Sequence, residues 1–231
     1  MKKIIWHRRK IYLEEYKKKM GINNFSINSE ERLKEAYKAA FDTRKFEIEL
    51  FWKRATFFWA FITAIYTAYF NVLIKVYPVC EAEHPPYQHG TIPLLVLSFL
   101  GLFFSFSWLL SSYASKNWQE NWENHIDLLE NDVTGPLYKI YESEKAFSVS
   151  RITIAAGWVV SLSAYALLIY EFSCFVLKHI TKKGVMPFYL VLCFAILIAI
   201  LMFIFSKIMK GNQNKSGIIN FQIKEYEGLD V

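Results

Sequence analysis

DTRKFEIELFWKRATFFWAFITAIYTAYFNVLIKVY, residues 42 to 77, decides the fold. Up to Arg54 it is charged and amphipathic. From Ala55 to Ile74 it carries no charge, and neither Pro nor Gly interrupts it before Pro78. At ~1.5 Å of rise per residue, that apolar run is about long enough to cross a ~30 Å hydrocarbon core. The stretch predicts one continuous helix that starts in the cytosol and ends beyond a bilayer.

Downstream, Tyr77-Pro78 stops the helix and PVCEAEHPPYQHGT forms a short loop without Lys or Arg. A second apolar run spans Ile92 to Tyr113, with Pro93 in the first turn, where a missing N–H does little harm. KNWQENWENHIDLLEND follows with no helix breaker, so this span is expected to continue into the cytosol as the first began there. Trp118, Trp122, His125/Ile126 and Leu129 recur at helical spacing as a packing seam outside lipid. Asp132-Val133-Thr134-Gly135-Pro136 reads as a turn, Leu137 to Phe147 as a short amphipathic helix, and Ser148 or Ser150 as the cap of a third span near Ile152 to Val176. A fourth span covers about Pro187 to Phe205.

Upstream, Asn28-Ser29-Glu30-Glu31 has the form of a capping box, and Leu33, Tyr37, Ala40 and Phe41 follow at helical spacing. Residues 1–20 read as a basic amphipathic arm suited to an anionic leaflet or, equally, to subunit packing. They have a basic start but no apolar core, so a signal peptide is not expected.

The predicted organisation is therefore all-α and polytopic, with about four transmembrane helices, the first two extended into a cytosolic helical bundle. It comprises a cytosolic arm and amphipathic helix (1–54), a first span (55–77), an outer loop (78–91), a second span (92–114), a cytosolic helical segment (115–151), a third span (152–177), an outer loop (178–186), a fourth span (187–206) and a cytosolic tail (207–231). The tail holds one β-like patch, Ile218 to Ile223. Positive residues at Lys53/Arg54, Lys116, Arg151 and Lys207/Lys210 set both termini in the cytosol. Lys178, Lys182 and Lys183 point the other way, but inverting the chain would expel the far more basic arm.

Composition agrees. Across 231 residues, 54% are hydrophobic, above the ~45–50% of soluble domains, while most of the 21% that are charged lie outside the apolar runs. The net charge of +6 is modest, and beside membrane spans it suits anionic lipid; no nucleic acid is expected as a partner. The three cysteines show no CxxC or Cys/His spacing, which leaves Cys174 and Cys193 as apolar fillers and Cys80 as a residue that could bridge two subunits. His84 and His89 with Glu81 and Glu83 make at most a weak metal site, so no metal, cofactor or catalytic residue is assigned. The chain has no GxSxG, Walker A, HExxH or GxGxxG pattern, and the expectation is a protein without enzymatic activity.

Two blocks carry a resemblance. DTRKFEIELFWKRATFFWAF (Asp42 to Phe61) and SKNWQENWENHIDLLENDVTGPLYK (Ser115 to Lys139) resemble the RipA (required for intracellular proliferation) family of octameric bacterial membrane proteins. The similarity covers the first two spans and the linking cytosolic segment, well under two-thirds of the chain. It implies an inner-membrane homo-oligomer with a cytosolic helical part and no established chemistry.

Several residues stand out as candidates. Thr63, Thr67, Asn71 and Lys75 recur every four residues on one side of the first span, as a pore-lining stripe or as interhelical hydrogen-bonding groups. Lys75 and Glu171 each lie ~27 Å from the cytosolic start of their spans, which places them at one depth as a possible intramembrane ion pair. Gly101/Ser105 and Gly157/Ser161 are small-xxx-small pairs for close helix approach. Ser107, Ser111 and Ser112 either line a path or bond to their own helix. With Trp118, Trp122, Ile126 and Leu129 as packing residues, the function expected is a homo-oligomeric inner-membrane ring, scaffold or pore. The alternatives are a membrane-anchored adaptor or ligand-sensing module, or a membrane-permeabilising defence effector.

Overall fold

The computed structural model describes residues 16–18, 20, 29–76, 90–135, 137, 148–179 and 186–209. Among them the secondary structure is helical with no strand, and it forms α1 (Ser29–Val76), α2 (Ile92–Val133), α3 (Val149–His179) and α4 (Met186–Ile208). All four are long and apolar enough to cross a membrane. At ~1.5 Å per residue, α1 is ~72 Å long and α2 ~63 Å, each about twice a ~30 Å hydrocarbon core. Both run unbroken through the positions, near Arg54 and Ser115, where their apolar runs meet charged sequence.

Local chemistry accounts for the ends. Glu30 and Glu31 sit in the first turn of α1, where the helix dipole favours negative charge. The Ser148 hydroxyl accepts from the Arg151 amide at 3.4 Å, an N-cap of α3, and Lys178 and His179 occupy that helix's last turn. Thr91 immediately precedes α2, its carbonyl accepting from the Leu95 amide at 3.0 Å. Gly135, at φ +75°, allows the chain to leave α2 in a left-handed conformation. Asn28 of the capping box, the outer loop at 78–89, the expected helix at 138–147 and the β-like patch of the tail lie outside the described residues.

The chain divides into two compact units, to both of which α1 and α2 contribute. The first draws on residues within 1–45 and 120–144. There Leu128 and Leu129 pack with Tyr16, Met20, Leu33, Ala36 and Tyr37. Lys17 pairs with Asp132 at 2.6 Å and Arg44 with Glu123 at 2.8 Å.

The second unit, within 46–119 and 145–210, is the apolar one. Leu94, Ser98, Gly101, Ser105, Trp108, Ser112 and Ser115 on α2 are all buried, at alternating steps of four and three residues. That average of 3.5 is the spacing of a left-handed coil. Ring contacts of Trp59 with Trp108 and Phe61 with Phe104 set α1 antiparallel to α2. The serines make this seam tolerable without water: Ser98, Ser105 and Ser112 each donate to the carbonyl four residues earlier. Leu102, Ala164, Leu168 and Ile198 form the core between α2, α3 and α4. The Phe172 and Phe194 rings stack at 3.8 Å, and the Tyr165 hydroxyl donates to the Ala195 carbonyl at 2.9 Å.

Candidate functional site

Among the described residues of the apolar unit one carboxylate is buried, that of Glu171 on α3, with 0% of the residue exposed. A carboxylate deep among apolar side chains is held only where its lone pairs are satisfied. Two donors come from different elements. The Tyr69 hydroxyl of α1 donates to Oε1 at 2.5 Å, and the Gly90 amide, just ahead of α2, donates to Oε2 at 2.8 Å. One side chain thus ties the ends of three helices together. The charge also lies at the N-terminus of α2, whose dipole favours it.

Gly90 is fixed there by shape. Its φ is +81°, and a Cβ at this position would lie 2.2 Å from the Phe175 amide nitrogen and 2.5 Å from the Cys174 carbonyl carbon. Those atoms belong to the backbone of α3 and cannot rotate away. Glycine therefore allows the chain to cross α3 closely enough for its N–H to meet Glu171.

Counting along the spans sets Lys75 level with Glu171. The structure brings the Tyr69 hydroxyl to Glu171, six residues and ~9 Å before Lys75 along α1. The Lys75 side chain lies outside the described residues. Neither Tyr69 nor Gly90 was distinguishable in the sequence: Tyr66 and Tyr69 look alike within the same apolar run, and a glycine before a span reads as a turn.

On α1, Thr63, Thr67 and Asn71 are exposed, on the side of the helix turned away from α2. The Asn71 amide donates to the Thr67 carbonyl at 2.9 Å, and the Thr56 hydroxyl donates to the Trp52 carbonyl at 3.0 Å. Ala60 and Ala64 are exposed among them. The ridge is therefore small as well as polar.

The small-residue pairs pack within the chain. A Cβ on Gly101 would come to 3.2 Å from the Tyr66 hydroxyl, and one on Gly157 to 3.0 Å from Leu109 Cδ1. Ser105 and Ser161 are buried with them. Along the rest of α2, Ile126 and Leu129 are buried and Trp122 is half-buried, its ring 5.2 Å from that of His125. Trp118 stays outward, 46% exposed. His125 Nδ1 lies 2.6 Å from the Tyr16 hydroxyl, and burial pushes the imidazole below its ordinary pKa. Among the described residues no group of His, Cys, Asp and Glu could hold a metal ion. His84, His89, Glu81 and Glu83 lie outside them, as does Cys80.

The family model of the Octameric membrane protein family (8xMP) matches residues 34–173. The match includes both blocks singled out in the sequence and extends beyond them through Tyr69 and Gly90 to Glu171. It carries the octameric membrane family but not the narrower RipA name. No curated protein matches, and no solved structure does.

Proposed function

The chain belongs to the octameric membrane protein family, and from that premise we propose that its copies close into a non-catalytic ring, a scaffold or pore, in the bacterial inner membrane. Both termini and residues 115–151 face the cytosol in this reading, and the basic arm lies against anionic lipid. The observation that carries it is the outward ridge of Thr63, Thr67 and Asn71 on α1. Polar side chains facing hydrocarbon are costly, whereas a neighbouring copy or a water-filled path satisfies them. The outward face of α4 provides the contrast. Phe188, Leu192, Ile196, Ile200 and Phe203 suit lipid directly.

Thr63, Thr67, Asn71 and Lys75 then lie nearest any conduit, with Lys75 setting its charge preference. A second reading, an adaptor that recruits a cytosolic partner, is favoured by the outward Trp118. Planar-bilayer recording separates the two. A current whose ion preference changes in Lys75→Glu supports the pore. Absence of current from assembled oligomers removes the pore and leaves the adaptor.

A further inference from the structure

Two faces of the apolar unit share a small-residue composition that the α4 face lacks. On α1, Ala60, Thr63, Thr67 and Phe70 are exposed at steps of three, four and three residues. On α3, Ala156, Val159, Ser163 and Ala166 are exposed at the same steps. Both series have the 3.5-residue average of a left-handed helix seam. The same spacing is filled on the buried side of α2, but among the described residues nothing covers either series. Both are also rich in small residues. In lipid, where apolar side chains gain nothing by leaving hydrocarbon, small residues and short hydroxyls mark close helix contact.

We infer that the α1 face of one copy packs against the α3 face of the next, giving the ring its subunit seam. This rests on the ring reading and specifies its contact surface. The second copy is the occupant because the family is octameric, and two distinct faces per copy are what a head-to-tail ring requires. A twofold dimer would need only one face meeting itself.

Height within the ring fixes the register. Rotation about the membrane normal leaves each residue at its own depth, and the Tyr69–Glu171 hydrogen bond marks a common depth on α1 and α3. Counting back along both helices sets Thr63 level with Tyr165 and Ala60 level with Leu162, each within one residue (~1.5 Å of rise) of Ala166 and Ser163 on the outward α3 face. The α4 face, lined by Leu192, Ile196, Leu197 and Ile200, stays in lipid.

Disulfide trapping in native membranes tests the seam, using the full chain with Cys80, Cys174 and Cys193 replaced. Oxidation of the double variant Thr63→Cys/Ala166→Cys is expected to give a ladder of dimers and larger species. Ala60→Cys/Ser163→Cys should repeat it if the first pair perturbs packing, and Leu197→Cys alone should stay monomeric on denaturing gels. Lysine-directed crosslinking of the same membranes reports assembly independently. Assembled protein with no ladder from either α1–α3 pair, or a ladder from Leu197→Cys, overturns the seam and leaves the ring. Absence of assembly overturns both.

Discussion

Substituting Gly90 with alanine is the sharpest perturbation of the carboxylate site, because two separable costs can be assigned to it. The first is conformational: at φ +81°, any residue with a Cβ pays about 1–2 kcal/mol. The second is steric. The new Cβ would sit 2.2 Å from the Phe175 nitrogen and 2.6 Å from its Cα, so the segment must withdraw from α3. Withdrawal breaks the 2.8 Å bond from the Gly90 amide to Glu171, and hydrogen bonds to charged groups contribute about 1.5–3 kcal/mol. Gly90→Ala is therefore expected to destabilise by about 2.5–5 kcal/mol. Gly135→Ala isolates the first cost, since φ is +75° there but no atom lies within 4 Å of the added Cβ. It should lose only about 1–2 kcal/mol. Unfolding of both variants by denaturing detergent in mixed micelles, followed by circular dichroism, measures the difference. If Gly90→Ala matches Gly135→Ala to within ~1 kcal/mol, the tight crossing and the clasp built on it are refuted.

Burial holds the His125 imidazole below its ordinary pKa, so the unfolded chain binds the proton more readily and stability rises with pH. The contribution is complete above the unfolded value of ~6.5 and is lost as pH falls through the lower folded value. The unfolding midpoint should drop on acidification in this window, and His125→Asn should flatten that part of the profile; an unchanged profile would contradict the burial. Leu129, 1% exposed, should lose about 2–5 kcal/mol on change to alanine, measured by the same unfolding titration. Trp118→Ala, outward on the same helix, should stay within ~0.5 kcal/mol in the dissociated protein.

Much of the architecture could be read from the chain because lipid imposes a severe rule: backbone groups must be satisfied within the segment, so long uncharged runs become helices. The unbroken lengths of α1 and α2 were readable for a related reason, the lack of any Pro or Gly around Arg54 and Ser115. Gly101 and Gly157 also announced close packing, and they meet Tyr66 and Leu109. The site was harder. Glu171 stood out as a charge in an apolar run, but its donors depended on the registry of three helices, which spacing within one helix does not specify. Equal counting from the inner ends chose Lys75, whose side chain lies outside the described residues, and gave no sign of the Tyr69 donor. The seam of Trp122, Ile126 and Leu129 was visible as a pattern, but its cover is partly local. Leu129 meets Tyr16, Leu33 and Tyr37 of the same chain, residues far away in sequence.

The central claim is that one chain is a single segment of a closed assembly, and its mass in a lipid nanodisc tests that claim most directly. Native mass spectrometry should find the protein at about eight times the 27.2 kDa of one chain, with no substantial population of single copies. A stable, folded monomer at 27.2 kDa under the same conditions would contradict the ring, the seam between α1 and α3, and any conduit the ring encloses.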